Sequence, residues 1–86
     1  MKIIKLKKYK FLDLRNLHCP EPLMLLRKKI REIKSGDILL VIADDLSTKR
    51  DIPNFCRFMN HLLLKISTNI LPYKYLIKKL NSLSKI

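Results

Sequence analysis

Polar and apolar positions change period several times along the chain, and each change marks an element. From Lys10 to Arg15 they alternate, with Leu12 and Leu14 on one side and Asp13 and Arg15 on the other. That is the pattern of a short strand. Asn16-Leu17-His18-Cys19 then runs into Pro20-Glu21-Pro22. Proline suits the start of a helix, where its missing N–H would have no partner in any case. After it Leu23, Leu26, Ile30 and Ile33 recur at helical spacing, with Met24 and Leu25 beside them. Arg27, Lys28, Lys29, Arg31, Glu32 and Lys34 fill most of the remaining positions, which predicts an amphipathic helix of about three to four turns. Ser35-Gly36 is its expected stop, with Gly36 free to take the left-handed conformation.

Ile38 to Ala43 form a continuous apolar run after that turn, the mark of a buried central strand, and Asp44-Asp45 ends it. Ser47 or Thr48 is placed to cap a second helix, with Asp51 as capping-box partner of Thr48 and Pro53 limiting the regularity of its first turn. Phe55, Phe58, Met59 and Leu62 make its apolar stripe. Leu64 and Ile66 alternate with Lys65 and Ser67, a third strand. Thr68-Asn69 is the expected turn, since Asn tolerates positive φ. A closing strand spans Leu71 to Lys79, with Tyr73, Tyr75 and Ile77 on one face and Lys74, Leu76 and Lys78 on the other.

The order is β-α-β-α-β-β. At this length the expected fold is an α/β (α+β) two-layer sandwich, a mixed four-stranded sheet with two helices on one face. A right-handed crossover makes the first two strands parallel and the last two a hairpin. Residues 1–86 read as one domain, with 1–9 and 80–86 peripheral. A hydrophobic fraction of 48% beside 30% charged residues favours a folded chain. One Gly and no Trp leave the core to Leu, Ile, Met, Phe and Tyr.

Charge and cysteine count narrow the setting. The formal net charge is +12. Such a field attracts acidic partners, nucleic acid included. The charge is nevertheless spread over both termini and two helices without an Arg-rich tract, and the abundance of Lys, Ile and Asn together fits an AT-rich coding sequence. Lysines break the N-terminal apolar stretches too often for a signal segment of roughly 7–15 residues. No run approaches the roughly 18 apolar residues of a membrane span. With only Cys19 and Cys56, fewer cysteines than small secreted domains carry, the chain reads as cytoplasmic with reduced thiols.

Cys19 is the candidate reactive group. It precedes the proline-started helix, where unpaired N–H groups and the positive end of the helix dipole favour a thiolate. Thiols at helix N-termini have pKa values lowered from about 8.5, and the thiolate is the nucleophile of sulfur exchange. Pro20 and Pro22 stiffen the turn, and Glu21 is an opposing carboxylate. Cys56 reads as an inert packing residue beside the helical stripe. His18 reads as solvated, since its side chain and that of Cys19 point apart on extended backbone. His61 reads as a dipole partner at the end of the second helix. Cys19, Cys56, His18 and His61 lack the paired spacing of zinc knuckles, so no metal is expected.

The segment from Leu12 through Cys19-Pro20-Glu21-Pro22 resembles the Cys-Pro-x-Pro signature of the TusA family of sulfur carriers. Ile42-Ala43-Asp44-Asp45 through Thr48, Arg50-Asp51-Ile52-Pro53 and Phe55-Cys56 is similar to the second block of that family, and Leu71 to Ile77 to its closing strand. His18 stands where related sequences often carry Arg. The resemblance implies a sulfurtransferase that needs no cofactor. Cys19 would accept a persulfide sulfur from a cysteine desulfurase, with Pro20 and Pro22 shaping its turn, and a TusBCD-type relay complex would take it onward to 2-thiouridine at the tRNA wobble position. The expected docking surface is Glu21, Met24, Arg27 and Arg31 on the first helix with Asp45, Arg50 and Phe58 from the second block. Direct contact with tRNA or a membrane is not expected.

Two other readings compete. A small basic RNA-binding module would use the charge and stack bases on Tyr73 and Tyr75, although the chain lacks an RNP-like aromatic pair or a Gly-rich phosphate loop. A sulfur carrier feeding a different pathway would share the same fold, since the receiver is chosen by the docking surface.

Overall fold

The structure, a computed structural model, describes residues 9–80. The peripheral segments expected at the termini therefore lie outside the described residues, apart from Tyr9 and Leu80. Six elements appear in the anticipated order: β1 (Tyr9–Leu14), α1 (Glu21–Glu32), β2 (Ile38–Ala43), α2 (Thr48–Phe58), β3 (Leu62–Ser67) and β4 (Tyr73–Lys78). The sheet order is β1-β2-β4-β3. β1 pairs parallel to β2, β2 antiparallel to β4, and β3 antiparallel to β4. The mixed four-stranded sheet and two helices make the expected α+β fold.

Alternation decides which side of each strand is covered. Leu12 and Leu14 of β1 stand opposite Val41 and Ala43 of β2, and Val41 and Ala43 stand opposite Tyr75 and Tyr73 of β4. Together with Leu39 and Ile77 these residues meet Leu26 and Ile30 of α1 and Ile52, Phe55 and Cys56 of α2 in one core. Full burial of an aliphatic side chain of this kind contributes about 1.5–3 kcal/mol. The other face of β2 is only half covered at Ile38 and Leu40. Among the described residues no helix is long and apolar enough to cross a membrane.

Four local expectations are corrected. α1 ends at Glu32, before Gly36, because Ile33 turns extended and buries its side chain. Gly36 does take positive φ (93°), but in the turn leading to β2, where its N–H donates to the Lys79 carbonyl at 2.7 Å. The Thr48–Asp51 capping box does not form: Ser47 is the N-cap, no side chain caps the helix, and Thr48 is buried with its hydroxyl on the Asp45 carbonyl. The apolar stripe of α2 follows Thr48, Ile52, Phe55 and Cys56. Phe58, Met59 and Leu62 are exposed, because the helix stops at Phe58 and Asn60 reverses the chain at φ 61°. The chain does bend after Thr68, but among the described residues Asn16 and Asn60, not Asn69, are the asparagines with positive φ.

β3 departs from simple alternation too. A bulge between Leu63 and Lys65 shifts its register against β4. Leu63 faces Ile77 and packs on the core, while Leu64 and Ile66 stay about half exposed on this edge strand.

Candidate functional site

The parallel β1–β2 pair brings two loops to one end of the sheet. One joins β1 to α1 and carries Cys19; the other joins β2 to α2 and carries Asp44 and Asp45. Cys19 is exposed. Asn16, at φ 68°, turns the chain away from the sheet edge, a conformation Asn tolerates better than most residues. The Cys19–Pro20 bond is cis.

The helix start offers fewer donors than expected. Pro20 and Pro22 have no N–H, the Glu21 N–H donates to the His18 carbonyl at 2.8 Å, and the Met24 N–H donates to the Pro20 carbonyl. Of the first-turn amides at this end only that of Leu23 remains. The two prolines that stiffen the turn thus also remove part of its amide array. Pro22, in the first turn of α1, is buried, whereas Pro20 is exposed beside the thiol.

The two aspartates brace the cysteine loop. The Asp44 carboxylate accepts the Asn16 N–H at 3.0 and 3.2 Å. The Asp45 carboxylate accepts the Ser47 hydroxyl and N–H, and meets His18 Nδ1 at 3.3 Å. Its pKa is lowered, first by the Ser47 hydroxyl, then by His18, with the Ser47 and Cys19 amides adding to the effect against partial burial. His18 itself is largely solvated, as expected. Nearby, Arg15 forks onto Asp13 at 2.8 and 3.0 Å and holds that exposed carboxyl down at about 2.

The second cysteine is of a different kind. Cys56 is buried in the core, and burial pushes its thiol up to about 11. The role expected for His61 is corrected. It is buried after the end of α2, tilted against Phe55 at 6.1 Å, and its Nδ1 accepts the Leu80 N–H at 3.2 Å. Burial first and the Lys79 charge second lower its pKa, so it serves as a neutral acceptor. The end of the other helix, α1, is served by Lys79, whose ammonium donates to the Ile30 and Ile33 carbonyls.

The residues expected to dock a partner fall into two groups. Arg27 of α1 and Phe58 of α2 line one open groove of about 690 Å³, with Leu23, Asp51 and Met59 among its walls. Arg50 pairs with Asp51, one of those walls, at 3.3 Å, but itself lines a separate shallow patch with Leu46, Ser47 and Lys49. Phe58 and Met24 are strongly exposed, and Glu21 and Arg31 lie exposed on α1. Asp45 belongs to the brace of the cysteine loop. Tyr75, a base-stacking candidate of the RNA reading, is wholly buried, and Tyr73 packs on the core beneath Lys49.

Two features escaped the sequence reading. Asp44-Asp45 was read as the end of a strand and part of the second family block, with Asp45 in the docking surface, but not as the brace that ties down the neighbouring loop. The Thr48–Tyr75 hydroxyl contact joins residues 27 positions apart and leaves no local trace.

A family model described as Sulfurtransferase TusA matches residues 10–79, which include the cysteine loop, its brace and all six elements except Tyr9. The Sulfur carrier protein TusA of Buchnera aphidicola subsp. Baizongia pistaciae (strain Bp) is 63% identical over 68 residues, covering 79% of this chain and 86% of that protein. Sulfur transfer as a carrier is the activity these matches support, and an exposed thiol on a braced turn is the chemistry it requires. By the match over nearly all of its described length, the chain belongs to the TusA family of sulfurtransferases.

Proposed function

We propose that the chain accepts a persulfide sulfur on Cys19 from a cysteine desulfurase and relays it, through a TusBCD-type complex, toward 2-thiolation of the tRNA wobble uridine in the cytoplasm. The observation that carries this reading is the contrast between the two cysteines: Cys19 exposed at a tip, Cys56 buried with its thiol pushed up to about 11. The Cys19 thiolate attacks the outer sulfur of the donor persulfide. A new S–S bond forms, the donor's S–S bond breaks, and its electron pair leaves on the donor cysteine as thiolate. The hydrogen of the persulfide stays on the outer sulfur, giving Cys19–S–SH. The receiver repeats the exchange on that sulfur. No cofactor of this chain takes part.

Pro20 and Pro22 hold the turn, and the open groove between the helices is the surface on which partners seat. Arg27, Arg31 and Arg50 supply charge for the encounter. Glu21, Met24 and Phe58 complete the contact, while Asp45, also expected there, acts through the brace of the cysteine loop. Charges at such a rim act on association rate more than on the chemical step.

Intact-protein mass after incubation with an active cysteine desulfurase and cysteine tests the reading. A reducible gain of one sulfur atom is expected in the wild type and in Cys56→Ser, and none in Cys19→Ser. A gain that survives Cys19→Ser, or no gain at all from a matched desulfurase, refutes it.

A further inference from the structure

Thr48 and Tyr75 form a buried polar pair that the chemistry at Cys19 does not use directly. Tyr75 is wholly buried and Thr48 nearly so. Their hydroxyls meet at 3.0 Å. Thr48 Oγ1 also donates to the Asp45 carbonyl at 2.7 Å. A threonine hydroxyl carries one hydrogen, and a carbonyl can only accept. The Thr48 hydrogen is therefore spent on Asp45, and the Tyr75 hydroxyl must be the donor to Thr48. The Thr48 N–H donates to the same Asp45 carbonyl at 3.0 Å.

The chain of bonds thus has a direction. It starts at a β4 tyrosine fixed in the core, passes through the first residue of α2, and ends on the backbone of Asp45. From there the Asp45 carboxylate reaches His18 at 3.3 Å, and the adjacent Asp44 carboxylate reaches the Asn16 amide. Those contacts hold both ends of the turn that presents Cys19. Hydrogen bonds within the low-dielectric core are stiffer than their exposed counterparts, and a half-satisfied buried network is costly.

We infer that Thr48 and Tyr75 are positioning residues for sulfur transfer: the Tyr75–Thr48–Asp45 hydrogen-bond chain sets the aspartate brace and through it the direction in which Cys19 is presented. The inference rests on Cys19 being the transferring sulfur. Neither residue touches the sulfur, so their loss alters the rate of transfer and leaves partner affinity in place.

The test uses Thr48→Val, Tyr75→Phe and the conservative Thr48→Ser in the full chain. The first readout is single-turnover sulfur loading from a persulfidated cysteine desulfurase, with its maximal rate and half-saturating concentration. The second is amide hydrogen exchange at Asn16 and Cys19, compared with Leu26 and Val41 in the core. We expect Thr48→Val to lower the maximal rate on the order of tenfold, short of the roughly hundredfold that a 1 Å misplacement of reacting groups can cost. Half-saturation stays within about twofold, because no contact in the docking groove changes. Tyr75→Phe has the smaller effect, since it leaves the Thr48–Asp45 bond. Thr48→Ser restores the rate. Exchange at Asn16 and Cys19 accelerates more than at the core amides in Thr48→Val and returns in Thr48→Ser.

An unchanged maximal rate in folded Thr48→Val overturns the inference. So does a change confined to half-saturation, or an equal acceleration at loop and core amides, which would mark a purely structural pair. If the wild type itself takes no sulfur, the function reading falls, while exchange at Asn16 and Cys19 still decides whether the hydroxyl chain positions the loop.

Discussion

Replacing Lys79 by Met isolates one charge–carbonyl contact and leaves nearly everything around it intact. The Lys79 ammonium donates to the Ile30 carbonyl at 2.6 Å and to the Ile33 carbonyl at 2.7 Å, at the end of α1 where helix carbonyls lack intrahelical partners. Its backbone is held independently, with its N–H on the Asp37 carbonyl at 2.9 Å and its carbonyl accepting from Gly36. Met keeps most of the apolar stem and removes only the charged head. A hydrogen bond to a charged group contributes about 1.5–3 kcal/mol. At this half-buried position water replaces part of the loss, so about 2 kcal/mol for the pair is the expected cost, helix-dipole contribution included. For a domain of this size that lowers Tm by about 8–16 °C. Thermal unfolding followed by helical circular dichroism, with Lys74→Met as an exposed control on the preceding strand β4, measures it. The loss should persist in high salt, because the acceptors are backbone dipoles close to the ammonium. A Tm within about 2 °C of wild type, or an equal fall in Lys74→Met, would refute the assignment of Lys79 as the clasp of α1.

Other outcomes follow from the same geometry. The lowered His61 pKa means that the unfolded chain binds the proton more readily than the folded one. Its contribution to stability is thus complete above the ordinary histidine value and is lost as pH falls from there through the lowered value. His61→Asn keeps an acceptor for the Leu80 N–H, so its Tm should fall less than that of wild type below about pH 6.5; parallel curves would sink this account. Iodoacetamide at pH 8 should modify Cys19 alone, and Cys56 only after unfolding, because a buried thiol at about 11 is almost wholly protonated there. Mass mapping of the adducts decides it, and early labelling of Cys56 would contradict the burial. The double variant Arg27→Ala, Arg31→Ala should slow association with the desulfurase on the order of tenfold at low salt, with the difference shrinking as salt rises. Unchanged stopped-flow association would remove the groove as the docking surface.

Local physics made most of the architecture legible. The unbroken apolar run Ile38–Ala43 required a strand covered on at least one face, and the structure places it inside the sheet with Leu39, Val41 and Ala43 fully buried. The prolines at 20 and 22 fixed where α1 begins. They also hid something, since the same residues that announce a helix start remove two of the amides that such a start is expected to present. The end of α2 misled the periodicity: Phe55, Phe58, Met59 and Leu62 keep helical spacing, but Asn60 ends the helical geometry before the stripe can continue into the core.

The sequence by itself determined the order of the elements, the faces that β1 and β4 bury, and the placing of one cysteine at a tip and the other beside an apolar stripe. These depend on side-chain period, on proline and on glycine, which act within a few residues. Only the tertiary structure decided what surrounds Cys19. The parallel pairing of β1 with β2 sets Asp44 and Asp45 against a loop some 28 residues earlier in the chain. The sheet order carries Tyr75 under Thr48, and the closing strand brings Lys79 back to the end of α1. A hydroxyl, a carboxylate or an ammonium chooses its partner among whatever the packed core brings within about 3 Å, and that choice leaves no periodicity to read.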